Sequence, residues 1–246
     1  MDSKKIAKRA LEIKAIRLDP RNFFADFGLC KPIFLDLGNF LGNYNDRSMI
    51  IESFIDRLGD NCGGFAAISD YGASIASSLL EHYKSNYLFL RNKQIELKNN
   101  ELGINESRFN VEGPRKKYKL CCTDNIYNLE GKDFILVDDI LATGEAIVRA
   151  VSALRLKNIY CNKFLCIFNF GYQDTKRILS GDKVFNKYEQ RLTPSVKVES
   201  LFDFETLLEV AIEKDYIGLD EQKDILLWRD DYYNWKAVHN FNTGKK

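Results

Sequence analysis

Two adjacent carboxylates, Asp138 and Asp139, follow the apolar run Phe134 to Val137 and precede a small-residue turn that ends in Thr143-Gly144. The apolar run predicts a buried strand, and the apolar residues after the turn recur with the spacing of one helix face. At such a strand–turn–helix junction, backbone N–H groups converge on an anion and the helix dipole favours its charge. Carboxylates suit sugar hydroxyls or a hydrated cation instead. The spacing therefore predicts a ligand with both a phosphate and a sugar diol.

This run resembles the signature of type I phosphoribosyltransferases, which bind 5-phosphoribosyl-1-pyrophosphate (PRPP). The resemblance implies that Asp138 and Asp139 are catalytic residues that face the ribose 2- and 3-hydroxyls. It also implies that the turn residues wrap the 5-phosphate of PRPP; these are Ala142, Thr143, Gly144, Glu145 and Ala146. The alternative is an ordinary strand-to-helix loop with exposed acids.

Composition narrows the class of protein. The chain has 246 residues, 45% hydrophobic residues and 29% charged residues, which is typical of a globular protein that buries a substantial core. A net charge of +1 gives no electrostatic reason to expect nucleic acid or a membrane as partner. Six cysteines without a CxxC pair, and two histidines, predict no metal cluster and no disulfide framework. We find no signal peptide and no apolar span, and expect a cytoplasmic protein.

Strands that alternate with helices predict an α/β fold with a parallel sheet. We expect one domain, 1–246, with a small N-terminal hood (1–45), a core (46–246) and C-terminal helices. The polar stretch 92–130 is weakly patterned and predicts a lid loop, of which residues 95–118 become ordered when ligand binds. Loops 69–72, 91–98 and 138–145 should meet beyond the carboxyl ends of the strands, where ligands bind in such sheets.

The order of elements is similar to that of orotate phosphoribosyltransferase over nearly the whole chain. The pieces that carry this similarity are an opening helix at 6–16, an aromatic strand at 27–37 and a closing strand and helix at 200–217. The similarity implies a parallel-sheet type I phosphoribosyltransferase fold and a homodimer. It also places Phe34 near the base.

Several positions depart from the family pattern at places that carry function. Tyr71, next to Gly72 in the PRPP-binding pyrophosphate loop, stands where a lysine is usual. The catalytic loop keeps Arg91 and lacks the usual His-Gly. The candidate cations for the leaving pyrophosphate are Arg91, Lys93, Lys98 and the run Arg115-Lys116-Lys117, and of these we predict Arg91 and Lys93 to be catalytic. Phe170 stands where an arginine usually reads the carboxylate of orotate, and it would instead offer a stacking face to the base. We therefore expect orotate to be a poor substrate.

The resemblance implies a Mg²⁺-dependent enzyme that transfers the 5-phosphoribosyl group from PRPP to a nitrogenous base, of the orotate-type pyrimidine class. No protein metal ligand is predicted, because Mg²⁺ would be held mainly through PRPP. The alternative is a noncatalytic module that binds PRPP or a nucleotide as a sensor or partner protein. A dinucleotide-dependent oxidoreductase is disfavoured, because no G-x-G-x-x-G opens a helix.

Overall fold

The computed structural model describes residues 2–20, 24–26, 29–59, 63–95, 117–122, 129, 131–155, 157–181, 183–186, 189–192 and 195–231. Its helices are α1 (Ser3–Glu12), α2 (Gly38–Gly42), α3 (Tyr44–Leu58), α4 (Asp70–Tyr83), α5 (Glu145–Arg155), α6 (Gln173–Leu179), α7 (Phe204–Glu213) and α8 (Leu219–Asp230). Its strands are β1 (Ile16–Leu18), β2 (Phe24–Asp26), β3 (Leu29–Lys31), β4 (Ile33–Leu35), β5 (Gly64–Ala67), β6 (Asn86–Ile95), β7 (Lys117–Cys122), β8 (Asp133–Val137), β9 (Ile140–Leu141), β10 (Tyr160–Asn169), β11 (Lys183–Asn186), β12 (Glu189–Leu192) and β13 (Lys197–Asp203).

A seven-stranded sheet forms the centre, in the order β13-β10-β8-β5-β6-β7, with β9 paired to β10. The strands are parallel except for β7, which runs antiparallel to β6. Helices connect the parallel strands, as α4 does between β5 and β6 and α5 does between β8 and β10. The predicted α/β fold with a parallel sheet is confirmed.

Alternate side chains of each strand point to opposite sides of the sheet, and an apolar cluster covers each side. In β10, Phe164 and Cys166 enter one apolar cluster, whereas Leu165 and Ile167 enter the other. The first cluster is closed by the apolar face of α5, and the second by helices that include α1, α3, α4 and α7. The central strands are therefore packed on both faces.

The N-terminal residues that we call the hood lie against this core. β1 and β4 pair antiparallel there. In α1, the guanidinium of Arg9 donates two hydrogen bonds to the Asp46 carboxylate of α3, at 2.7 and 3.0 Å. The Lys4 ammonium donates to Glu209 and Glu213 of α7, both at 2.8 Å. The hood is thus tied to α3 and to the C-terminal helix α7.

The predicted loop 92–130 needs a correction at both ends. β6 continues through Ile95, and its last residues, Leu90 to Ile95, pair with β7. Backbone hydrogen bonding between strands overrides the polar composition that suggested a loop. Of the rest of the predicted loop, residues 96–116, 123–128 and 130 lie outside the described residues. No helix within the described ranges is long and apolar enough to span a membrane.

Candidate functional site

The acidic pair lies where the carboxyl ends of β5, β8 and β10 meet. Asp138 follows the last residue of β8, and its N–H donates to the Leu165 carbonyl of β10 at 3.0 Å. The Asp139 carbonyl accepts from the N–H groups of Ile167 and Phe168 at 3.0 and 3.1 Å. The backbone of both acids is therefore fixed against the neighbouring strand.

The Asp138 carboxylate is oriented by two donors that share one oxygen. Its Oδ1 accepts from the Ser69 hydroxyl and from the Asp139 N–H, the latter at 2.9 Å. Ser69 is the N-cap of α4, and its Oγ also accepts from the Gly72 N–H at 3.0 Å. Sequence reasoning placed the loop 69–72 at the site but gave Ser69 no role of its own, although a serine directly before an apolar-periodic helix is a typical N-cap signal.

Gly72 brings the first turn of α4 close to the end of β8. A Cβ at this position would clash with the Val137 carbonyl oxygen and would lie 3.1 Å from Asp138 Cα. A side chain here would push α4 away from the acidic pair. The predicted loop 69–72 is in fact a cap followed by helix, since α4 begins at Asp70.

Asp139 is a buried carboxyl group, with 9% of its surface exposed. Burial disfavours its charged form, and the adjacent Asp138 carboxylate adds repulsion, so its pKa is raised from 3.8 to about 8. A neutral Asp139 can donate a hydrogen bond as well as accept one. The two acids therefore offer different chemistry to a diol: one anchored acceptor and one group that holds a proton.

The turn after β9 presents backbone N–H groups. Gly144 has a φ of +77°, and its carbonyl accepts the first hydrogen bond of α5, from Val148 N–H at 3.1 Å. From α6, the buried Thr175 hydroxyl donates to the Ala142 carbonyl at 2.6 Å. Within the described residues, no acceptor is found for the N–H groups of 143–146. A preformed turn with open donors at a helix N-terminus fits a phosphate.

Tyr71 lies at the boundary between α4 and the hood. Its side chain is 42% exposed, and a Cβ on Gly38 of α2 would lie 2.6 Å from its hydroxyl oxygen. Tyr71 therefore occupies the space that Gly38 leaves open. Tyr71 and Gly72 share the α4 turn next to the acidic pair, and their contact with PRPP stays a prediction.

Arg91 and Lys93 belong to β6 instead of the predicted loop. β6 pairs with β5 only as far as Phe89, opposite Ala67, and then continues beyond the end of β5. The backbone at Arg91 and Lys93 thus extends past the sheet edge where the acidic pair lies. Their predicted catalytic role remains a prediction.

The two predicted base-binding aromatics differ in their surroundings. Phe34 in β4 is half-buried, and the Arg17 guanidinium lies 4.2 Å from its ring centroid. Phe170 is 6% exposed and stacks on Tyr172 at 5.2 Å, with 3° between the rings. Its other neighbours include Phe204 and Trp228. The structure assigns Phe170 to the core and corrects its prediction as a stacking face, because neighbouring rings already cover it.

The carboxyl groups of the site suit a cation that is held mainly by phosphate oxygens. No group of three or more His, Cys, Asp or Glu side chains converges in the described part of the chain. Mg²⁺ keeps several waters and commonly binds through one or two carboxylates together with substrate phosphates. An acidic pair beside the turn at 142–146, which we call the phosphate turn, is compatible with that arrangement.

Known phosphoribosyltransferases resemble the chain in sequence and in fold. No protein-family model matches the chain. A curated orotate phosphoribosyltransferase of Listeria innocua is 25% identical over 235 residues, which covers 94% of this chain and 97% of the relative. Orotate phosphoribosyltransferase of Aeropyrum pernix superposes with a TM-score of 0.58 at 15% identity, over 87% of this chain and 99% of that one. Adenine phosphoribosyltransferase of Thermoanaerobacter pseudethanolicus gives 0.54 at 19% identity, over 79% and 99%.

The chain has the fold of the type I phosphoribosyltransferases. Over nearly its whole length, its sequence is similar to that of curated orotate phosphoribosyltransferases. The resemblance read from the sequence is confirmed.

Proposed function

We propose that the protein is a Mg²⁺-dependent phosphoribosyltransferase that moves the 5-phosphoribosyl group from PRPP to a nitrogenous base. The observation that carries this proposal is the juxtaposition of a fixed acidic pair and an open phosphate turn at one edge of a parallel sheet. The similarity to proteins named as phosphoribosyltransferases supports an enzyme of this class.

Each part of the site has a role in this proposal. The N–H groups of Thr143 to Ala146 hold the 5-phosphate, and the α5 dipole adds to their attraction. Asp138 accepts a hydrogen bond from one ribose hydroxyl, and Asp139 binds the other. Holding both ends of the ribose fixes its anomeric carbon relative to the incoming base.

The reaction forms a bond from a base nitrogen to the anomeric carbon and breaks the bond from that carbon to pyrophosphate. Negative charge develops on the leaving oxygen, so positive charge must be placed there. Arg91 and Lys93, on the extension of β6, are the proposed protein source of that charge. Bound Mg²⁺ would neutralise pyrophosphate oxygens.

The proposed base is an orotate-type pyrimidine, because the curated relatives are named for orotate. Position 170 is a phenylalanine and not an arginine, and its ring is packed in the core. An orotate carboxylate would therefore have to be bound by another cation. We therefore keep the prediction that orotate turns over slowly. A homodimer, which the resemblance implies, is also kept as a prediction.

Pyrophosphate release tests the function. The protein is incubated with PRPP, Mg²⁺ and a panel of pyrimidine and purine bases, and pyrophosphate is measured. Base-dependent release that is lost on Asp138→Ala supports the transferase. PRPP binding without pyrophosphate release for any base would favour the noncatalytic module instead. The tyrosine at position 71, where a lysine is usual, is the observation that favours this alternative.

A further inference from the structure

Ser69 joins two parts of the site through a single oxygen atom. It lies just beyond β5, directly before α4, and its extended backbone (φ −123°, ψ 172°) is that of an N-cap. Its Oγ accepts from the Gly72 N–H at 3.0 Å and donates to Asp138 Oδ1. One hydroxyl therefore connects the start of α4 with the acid that follows β8.

The direction of these bonds is fixed by what a hydroxyl can do. A serine hydroxyl has one hydrogen and can accept through its lone pairs. Because a backbone N–H can only donate and an ionised carboxylate can only accept, the hydrogen of Ser69 must point to Asp138.

Asp138 is thereby held in one orientation. The terminal torsion of an aspartate is broad, so an unrestrained carboxylate samples many orientations. Here Oδ1 takes both donors, Ser69 and the Asp139 N–H, which lies 2.9 Å away. The neighbouring Asp139 carboxyl shares a side-chain hydrogen bond with this carboxylate, so the two acids form one oriented pair.

We propose that Ser69 is a positioning residue of the phosphoribosyl site: its hydroxyl holds Oδ1 of Asp138 so that the acidic pair is oriented to bind the ribose diol. The inference deepens the proposed function and rests on it. Ser69 does not touch the reacting atoms, and it acts through Asp138. Its effect should depend on the diol of the ligand and not on the phosphate.

A matched pair of ligands isolates that effect. Anhydroribitol 5-phosphate carries the ring, the diol and the phosphate, and tetrahydrofurfuryl phosphate is the same molecule without the diol. Calorimetry measures both affinities for the wild type, Ser69→Ala and Ser69→Thr. We expect Ser69→Ala to weaken the diol ligand about tenfold, the scale of one hydrogen bond to a charged group. The diol-free ligand should bind equally to all three, and threonine should restore the diol affinity.

Ser69→Ala also removes a helix cap, so a cap on another helix provides the control. Asn43 caps α3 by accepting from Asn45 and Asp46 N–H groups, and Asn43→Ala should lower the melting temperature without changing either affinity. Equal weakening of both ligands by Ser69→Ala would reveal a purely structural role and overturn the proposal. So would an unchanged affinity for the diol ligand. A wild-type protein that binds neither ligand overturns the proposed function together with it.

Discussion

At the scale of single residues, the site depends on two neighbouring aspartates. Their surroundings differ, and so do their hydrogen bonding and burial. Asp138 is anchored by the Ser69 hydroxyl and the Asp139 N–H. Asp139 is buried, and its pKa is raised to about 8. The sequence shows the acidic pair and its place after a strand. It does not show which acid is buried, because burial depends on how β10 packs beside the turn.

Asp139 makes stability depend on pH. The folded pKa lies far above the unfolded value of about 4. Between these values the folded state holds a proton that the unfolded state has lost, so stability falls as pH rises from about 4 and levels off above about 8. Asp139→Asn should remove that fall. Urea unfolding from pH 5 to pH 9 checks this expectation, and parallel curves for the two proteins would contradict it.

Gly144 is required by its backbone conformation and by its contact with α6. It has a φ of +77°, and a Cβ would lie 3.1 Å from Thr175 Cγ2. Gly144→Ala should cost about 1–2 kcal/mol from the left-handed conformation alone, and should weaken phosphate binding by moving the turn. Gly131 has a φ of +74° with nothing within 4 Å of a Cβ, so Gly131→Ala is the matched control.

Calorimetric titration with PRPP separates these two glycine variants. Both should lose stability, and only Gly144→Ala should lose affinity. Equal affinity in the two variants would show that the turn does not contact the phosphate.

At the scale of elements, strands with long apolar runs were predicted well, and pairings between distant segments were not. The strand before the acidic pair and the helix after it are found as β8 and α5. β7 lies within a stretch that is polar as a whole and that predicts a loop, because its pairing with β6 is a long-range property that local composition does not show. Phe170 shows the same limit: the resemblance places it at the base, and only the packing of Tyr172 and Trp228 shows that its ring is covered.

The support that α6 gives to the phosphate turn leads to a test at this scale. Thr175→Val keeps the shape of the side chain and removes the hydroxyl that bonds the Ala142 carbonyl. Leaving that carbonyl without its partner should cost about 1–3 kcal/mol and should weaken PRPP binding. Thr175→Ser should retain both properties. Ser152→Ala removes an exposed hydroxyl bond within α5 and should change neither. A Thr175→Val protein with unchanged stability and unchanged PRPP affinity would show that α6 does not support the phosphate turn.

At the scale of the whole molecule, the hood and the core meet beside the site. Arg9 joins α1 to α3, Lys4 joins α1 to α7, and Tyr71 of α4 fills the space over Gly38 of α2. The similarity of the opening helix and closing elements to the orotate family predicted this hood. The contact between Tyr71 and Gly38 was not predictable, because it depends on a side chain that departs from the family pattern.

Gly38→Ala tests the contact between hood and core. A Cβ would lie within 3 Å of three Tyr71 atoms, so the ring must move. Because the Tyr71 ring is partly exposed and can swing outward, the loss of stability should lie at the low end of the ~1–3 kcal/mol that overpacking a core costs. Gly42 in the same helix has nothing within 4 Å of a Cβ, so Gly42→Ala should be tolerated. Tyr71→Ala should rescue the stability of Gly38→Ala, as measured by thermal unfolding. Failure of that rescue would place the clash elsewhere.

The central claim is that the acidic pair and the phosphate turn together bind PRPP. Calorimetry of PRPP with Mg²⁺ tests it most directly, on the wild type and on the double variant Asp138→Asn, Asp139→Asn. Each lost hydrogen bond to a charged group is typically worth ~1.5–3 kcal/mol, so we predict at least a roughly tenfold loss of affinity, with circular dichroism unchanged. Binding of equal strength by both proteins would contradict the account.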